Sequence, residues 1–414
     1  MSKIEKLIKE LCPNGIIFKT IGEICETITD YVAAGSFKDL SNNVKYLKEP
    51  DYAMLIRTTD IKSNFKGDKF IYINEAAFNY LWRVNLDKES IVLPNIGNCG
   101  EVYYLTPNDL PYKRCALATN SILVRSKQVN MKYLKHIFLA KDFQIQLKKI
   151  ISPSGQTKFN KTDLKKLKIP VPPLEVQEEI VRILDKFGEL ETELEAELEA
   201  RKSQYEFWRD KLLNNNMQKF YIKDICINIS SGGTPSTRNP DYYNGNIPWL
   251  RTQEINWNSI KDTEIKITNE AVLNSSAKLI PKNCVIIAMY GATVGKSAFN
   301  NIPLTTNQAC CNLEINSNLA NYKYVFYWFL NKYKYIKSLG QGSQTNINSQ
   351  IIKNLVIELP SLQEQEKIVN ILDKFNKLVN DISEGLPAEI EARRKQYEYY
   401  RNKLLSFEEL VVNE

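Results

Sequence analysis

IVRILDKF, residues Ile180–Phe187, returns as IVNILDKF at Ile368–Phe375. The copies lie 188 residues apart (368 − 180) and differ only at Arg182 against Asn370. Self-similarity at a fixed spacing marks a duplicated unit. Backwards, SGQTKFNKTDLKKLKIPVPPLEVQEEI from Ser154 aligns with GSQTNINSQIIKNLVIELPSLQEQEKI from Gly342. That sets Gln156-Thr157 over Gln344-Thr345, and Gln177 over Gln365. Forwards, RKSQYEFWRDKLL (Arg201–Leu213) matches RRKQYEYYRNKLL (Arg393–Leu405) at an offset of 192. The second copy therefore holds four more residues (192 − 188) between Asn376 and Ile390, a stretch containing Gly385 and Pro387.

Each copy reads as one long helix. Ile180, Ile183, Phe187, Leu190 and Leu194 are spaced 3, 4, 3, 4, which is heptad spacing and asks for a helical partner. Tyr205, Trp208 and Leu212 resume the stripe in a shifted phase. The second copy gives Ile368, Ile371, Phe375, Leu378 and Ile382, then Tyr397, Tyr400 and Leu404. The Pro-rich lead-ins IPVPPLEVQ and ELPSLQEQ are helix-start signals, and Pro387 is expected to interrupt or kink the second helix. A dimerisation coiled coil is one reading of such helices. Pairing with each other, antiparallel as a pseudo-two-fold contact requires, is the sharper one.

The segments before the helices also repeat, more faintly. FKTIGEIC from Phe18 answers FYIKDIC from Phe220, LIRTTDIK answers WLRTQEIN with Arg57 opposite Arg251, and NEA occurs at Asn74 and Asn269. SIVLPNIGNCGEVYYL and CVIIAMYGATVGKSAFN are β-like runs ending in glycines. ATN and TTN follow, each before an amphipathic helical stretch, MKYLKHIFLAKDFQIQLKKI and YKYVFYWFLNKYKYIKSL. The order is module (1–153), helix (154–216), module (217–341), helix (342–414). The expected class is mixed α/β: two globular domains and two long antiparallel coiled-coil helices in an internal tandem repeat.

Composition bounds the function. The 414 residues are 43% hydrophobic and carry a net charge of +7, with no apolar run of membrane length. The N-terminal MSKIEKLIKELCPNG lacks an apolar signal core, and eight scattered cysteines form no CxxC pair; both lead us to expect a reduced, cytoplasmic protein. A single histidine, His136, makes structural zinc improbable. Charge is segregated: Glu189–Glu199 is acidic, whereas lysines crowd Lys148–Lys168. Modest basicity fits a nucleic-acid partner without requiring one.

SGGTPSTRNPDYYNGNIPWLRTQEI (Ser231–Ile255), the QT-then-PLxxQ passages and the paired helices together resemble the specificity subunit of type I restriction–modification systems. The resemblance covers nearly the whole chain, but the first module departs from it, carrying TITDYVAAGSFKDL where the second has the GGTP phrase. It implies two target-recognition domains, each reading half of a split site in double-stranded DNA, on a coiled-coil spacer. It also implies two docked methyltransferase subunits that methylate adenine with S-adenosylmethionine, and ATP- and Mg-dependent motor-nuclease subunits. No catalysis, cofactor or metal would belong to this chain.

Three motifs come close to chemistry and miss it. YGATVGKS has three residues between Gly291 and Gly295 where a phosphate loop needs four. NPDY at Asn239 has Asp241 in place of the second proline of an amino-methyltransferase signature. Pro240-Asp241 with Glu264-Ile265-Lys266, and Pro50-Asp51 with Asp60-Ile61-Lys62, imitate a nuclease pattern that charged chains produce easily. A fused modification or restriction enzyme and a plain coiled-coil interaction protein are thus the rival readings. Arg and Lys suit guanine edges, and Asn and Gln suit adenine. The DNA-contact candidates are accordingly Arg57, Thr59, Arg83, Asn95, Asn98, Lys113 and Arg114 in the first module. In the second they are Thr234, Ser236, Arg238, Arg251, Gln253, Tyr290 and Lys296. Gln177 and Gln365 join the apolar stripe as candidates for the partner and coiled-coil surface.

Overall fold

The computed structural model describes residues 3–152, 155–214, 217–340 and 346–410. Gln344, Thr345 and the boundaries expected at residues 153–154 and 341–342 lie outside them. The chain forms two compact units, Met1–Glu193 with Ile390–Glu414, and Leu194–Glu389. The C-terminal residues thus complete the first unit rather than forming a separate segment.

In the first unit, β1 (Thr27–Asp30), β2 (Ala53–Ile56), β3 (Ile71–Ile73), β4 (Ser90–Pro94), β5 (Tyr103–Leu105), β6 (Cys115–Leu117) and β7 (Ser121–Arg125) make two sheets. One runs β1-β7-β4-β5, all antiparallel; the other runs β3-β2-β6, with β2 and β6 parallel. β2, β4 and β6 are short apolar runs buried on both faces, as AMLI, SIVLP and CAL read. The second unit repeats this with β8 (Cys226–Ser231), β9 (Ile247–Leu250), β10 (Ser259–Ile260), β11 (Ile265–Ile267), β12 (Val285–Ala288), β13 (Ser297–Asn300), β14 (Thr305–Thr306) and β15 (Cys310–Ile315). Its sheets run β8-β15-β12-β13-β10 and β11-β9-β14, so β10 is an added edge. Cys310 and Cys311 lie in the core of β15, both 0% exposed.

Five helices carry the repeat: α1 (Met131–Leu139), α2 (Leu174–Leu213), α3 (Tyr322–Asn331), α4 (Leu362–Asn380) and α5 (Leu386–Leu404). The 40 residues of α2 give a helix about 60 Å long. Each amphipathic stretch that reads as one helix is in fact two, Lys141–Ile150 following α1 and Tyr333–Ser338 following α3. The second long helix is likewise divided. The break falls at Asp381–Gly385, before Pro387, which sits in the first turn of α5 where a missing N–H costs nothing. The Asp381 carboxylate accepts from the Ser383 amide at 2.7 Å and closes the turn. A Cβ on Gly385 would lie 2.6 Å from the carbonyl oxygens of Lys377 and Asp381, so only glycine fits. The four added residues are this break.

The break corrects the expected stripe. Ile382 lies beyond α4 and is 86% exposed, and Ile371 and Leu378 are 41% and 38% exposed on its outer face. Ile180 and Ile368, at 0% and 2% exposure, belong to the cores of their own modules. What remains of the seam is aromatic. In the first unit Phe187 of α2 stacks on Tyr400 at 5.5 Å and meets Tyr397 at 6.3 Å, while Glu191 pairs with Arg394 at 2.5 Å. Partners descend α5 as residues ascend α2, so the two run antiparallel there, with Ile183, Tyr400 and Leu404 lining one groove. In the second unit Tyr205 stacks on Phe375 at 6.2 Å, with Leu198 and Leu212 packed behind on the core. Leu190 is 36% exposed, and Leu194 and Trp208 are only half-buried.

Candidate nucleic-acid interface

Leu184, Asp185 and Phe187 of the repeated phrase do the same work as Leu372, Asp373 and Phe375. Leu184 and Leu372 are both fully buried under their modules. Asp185 accepts from Lys132 at 2.7 Å and from His136 at 2.9 Å, tying α2 to α1. Asp373 accepts from Lys323 and Tyr327, both at 2.6 Å, tying α4 to α3. Phe187 and Phe375 turn outward to the tyrosines of the opposing helix, each backed by an arginine: Arg401 over Tyr397 at 5.2 Å and Arg209 over Tyr205 at 5.3 Å. Burial by itself would raise the Asp185 carboxyl, but hydrogen bonds from His136 and Lys132 outweigh it and hold it at about 2. Burial lowers His136 despite that partner, so the ring is neutral. An ionised carboxylate only accepts; His136 therefore carries its proton on Nε2, and Nδ1 accepts from the Tyr397 hydroxyl at 3.0 Å. His136 is a structural brace across three helices. Asp185 and Asp373 escape a search for apolar periodicity, although both stand in the repeated phrase.

Gln177 and Gln365 are braces too, at 2% and 0% exposure, and are not partner-facing. The Gln177 amide accepts from the Asn130 backbone at 2.9 Å and donates to the Pro172 carbonyl at 2.8 Å. Gln365 accepts from the Asn321 backbone at 2.8 Å and donates to Pro360 at 2.9 Å. Each one satisfies the N-cap residue of α1 or α3 and the carbonyl of the proline lead-in, groups that burial would otherwise strand. The PLxxQ spacing exists for this.

The glycine runs form hairpin tips. Gly97, between β4 and β5, and Gly291, between β12 and β13, have φ of +82° and +83° with open space where a Cβ would stand. In the first module the QT passage straps the tip: Thr157 donates to the Gly97 carbonyl at 2.6 Å and accepts from its amide at 2.9 Å, and the Phe159 amide donates to Asn95 at 3.0 Å. In the second the Ile347 amide donates to Met289 at the matching place, also 3.0 Å. YGATVGKS leads into strand β13, not a helix, so it lacks the helix N-terminus of a phosphate loop. Lys296 donates to Asn256 at 2.7 Å, and Tyr290 stands 40% exposed at the tip.

The remaining candidates divide by what already holds them. Arg57 grips Asp60 through Nε and Nη2 at 3.0 and 2.6 Å and the Lys69 carbonyl at 2.7 Å. Arg251 pairs with Glu264 and, at 3.4 Å, with Glu254, and the Gln253 amide, turned so that its oxygen faces the guanidinium, would accept from it at 2.9 Å. Their own amides donate to the same acids, Asp60 at 2.9 Å and Glu254 at 3.2 Å, so the shared Arg-Thr phrase starts a helical turn in both modules. These pairings also separate the nuclease-like residues: Asp60 faces Arg57, Lys62 faces Glu101, Glu264 faces Arg251 and Lys266 faces Asp262. Asn95 donates to the Phe159 carbonyl at 3.2 Å, and Arg114 lies over the Tyr52 ring at 4.3 Å. Thr234 is bonded to Gln308, and Asn239 caps the turn at Pro240–Tyr243. Arg83 donates to the Ala33 carbonyl at 2.8 Å. Thr59, Asn98, Lys113, Ser236 and Arg238 are exposed. The two glycines of the GGTP phrase serve packing: a Cβ on Gly232 would strike the Thr306 carbonyl oxygen at 1.9 Å, and Trp249 donates to the Gly233 carbonyl at 2.9 Å.

Residues 13–200 and 214–392 each match the type I restriction modification DNA specificity domain. A type I restriction enzyme specificity subunit of Escherichia coli is 41% identical over 258 residues, 59% of this chain and 63% of that protein, so the match spans less than two thirds of that relative. A putative type I restriction enzyme specificity subunit of Haemophilus influenzae is 32% identical over 301 residues, 68% of this chain and 73% of its own. The crystal structure of a type I restriction–modification S subunit from M. genitalium superposes with a TM-score of 0.54 at 15% identity, covering 95% of this chain and 97% of that one, a likeness of fold alone. No helix among the described residues is long and apolar enough to cross a membrane. With two matched segments that fill most of its length, the chain belongs to the type I restriction modification DNA specificity family and carries two specificity domains.

Proposed function

We propose that this chain is the non-catalytic DNA-reading subunit of a type I restriction–modification assembly, each module reading one half of a bipartite site in duplex DNA. The observation that carries the reading is the division of labour between the copies. Frame residues (Gln177 and Gln365, Leu184 and Leu372, Asp185 and Asp373, Phe187 and Phe375) make the same bonds or contacts twice, while the modules differ in the segment after β1 and β8 and at the hairpin tips. A duplicated frame with divergent faces suits one partner bound twice and two different half-sites. Methyltransferase subunits would dock on the helices and supply S-adenosylmethionine-dependent adenine methylation. Motor-nuclease subunits would supply ATP- and Mg-dependent cleavage, as in the family.

Exposed Lys113 and Arg238 and the open tips at Gly97 and Gly291 are the contacts we assign first. Arg57, Arg251 and Asn95 position the loops. Binding of the chain with its methyltransferase to duplex DNA should fall steeply with salt, because each neutralised phosphate releases a counterion. Salt-independent binding, or none, would favour a coiled-coil interaction protein.

A further inference from the structure

Because the frame is duplicated, the modules can be compared residue by residue. From β2 and β9 as far as Leu86 and Ile280 an offset of 194 holds: Arg57 and Arg251 cap matching turns, Asn74 and Thr268 cap matching helices, and the Leu86 and Ile280 amides both donate at 2.8 Å, to Cys115 and Leu304. That offset sets Trp82-Arg83 over Ser276-Ala277. On the neighbouring strands, Thr29 faces Leu123 as Ser230 faces Asn312, which sets Tyr31-Val32 over Gly232-Gly233.

In the second module these positions close up. A Cβ on Gly233 would lie 2.4 Å from the Ser276 carbonyl carbon, and Ala277 is 4% exposed. In the first module larger residues occupy them: Tyr31 is buried, but Val32 is 44% exposed, Trp82 66%, and Phe37, further along the same segment, 77%. Arg83 lies over the Trp82 ring at 5.2 Å and is pinned to the Ala33 carbonyl, which joins the two segments. Among the described residues no carboxylate pairs with its guanidinium. Single exposed apolar residues need no explanation, but an indole backed by a fixed, unneutralised guanidinium calls for a ligand both flat and anionic.

The geometry points to Trp82 as an apolar wedge of the first module against the bases of duplex DNA, with Arg83 as its phosphate contact. This rests on reading the modules as DNA-binding. Proteins insert such side chains at deformable base steps, and a planar guanidinium suits phosphate oxygens. Among the described residues the matching segment of the second module, where Gly232 and Gly233 pack closely, offers no indole–guanidinium pair; its exposed side chains there are Leu273 and Leu279, at 84% and 60%. At this place the first half-site is therefore met by an aromatic ring and a guanidinium, a combination that the second module does not repeat among the described residues.

The test uses the full chain with its methyltransferase and a duplex carrying the motif that adenine-methylation mapping returns. Trp82→Ala should weaken binding roughly tenfold or more, the scale of losing one base–aromatic contact. Trp82→Phe should keep most of the affinity. Arg83→Ala should flatten the salt dependence by about one unit of slope. Trp82 is exposed, so melting should not move. 2-Aminopurine in the first half-site should brighten with the unsubstituted complex and not with Trp82→Ala. Unchanged binding and fluorescence in Trp82→Ala would overturn the wedge while leaving DNA reading intact. So would loss of methyltransferase capture in Trp82→Ala, which would make the patch a protein contact. An unsubstituted complex that binds no duplex would overturn both.

Discussion

Replacing Gln365 with alanine tests the frame at its most buried polar point. The side chain is 0% exposed; it accepts from the Asn321 backbone at 2.8 Å and donates to the Pro360 and Leu319 carbonyls at 2.9 and 3.3 Å. Truncation strands one backbone donor and one well-bonded acceptor. Each stranded group costs about 1–3 kcal/mol, less where water enters the space left behind. We expect a loss of about 2–4 kcal/mol from the second unit. For a unit of this size each kcal/mol moves the melting midpoint by about 2–4 °C, giving a drop of roughly 5–12 °C. Calorimetry of the full chain is the assay, with protection of the Asn321 amide from hydrogen exchange as the local readout. Gln363→Ala, on the exposed side of the same helix, should stay within about 0.5 kcal/mol. A Gln365→Ala protein that melts within 2 °C of the original, with that amide still protected, would refute the assignment of the PLxxQ glutamine as an internal brace.

Other outcomes follow from the same contacts. Asp185 titrates at about 2 when folded and near 4 when unfolded, so it contributes roughly 2 kcal/mol that is present above about pH 4 and lost as pH falls toward 2. Asp185→Asn should remove that part of the acid transition in a pH series of unfolding curves. His136 is also lowered by burial, so its contribution is complete above about pH 6.5 and declines in acid; His136→Gln should flatten the stability profile on the acid side of about pH 6.5. Gly385→Ala forces a methyl against three carbonyl oxygens at 2.6–2.8 Å and should destabilise the second unit by about 1–3 kcal/mol in thermal unfolding. Arg57→Ala should lower the melting midpoint as well as DNA affinity, because its guanidinium holds Asp60 and the Lys69 carbonyl. Lys113→Ala should leave melting alone and reduce the salt slope by about one.

The repeat made the frame legible, because a duplicated sequence declares which residues serve the architecture. Why they are kept was less readable. Gln177 and Gln365 resemble surface residues at a helix start, and only the structure shows them turned inward onto a backbone amide and a proline carbonyl. The stripe through Ile371, Leu378 and Ile382 has seam spacing, yet the turn at Asp381–Gly385 ends the helix before Ile382 and leaves all three exposed. Periodicity records spacing along an ideal helix and says nothing of where the helix stops or which face its own module takes. Asp185 and Asp373 were in plain view. Their partners sit at a common offset of 191, Lys132 with Lys323 and His136 with Tyr327, and that second register would have revealed them. Arg57 and Arg251 show the converse: an arginine kept in both modules pointed to DNA, but each is already held by an acid of its own turn, Asp60 or Glu254, and Arg251 by Glu264 as well.

The central claim is that this chain supplies recognition and its partner supplies chemistry. The most direct measurement is a map of methylated adenines in a host without methylation of its own, with the chain expressed alone and then with its methyltransferase. The account predicts no methylation alone, and one split motif, methylated in each half, when both are present. Methylation by the chain alone would contradict it, as would an unsplit motif with the pair.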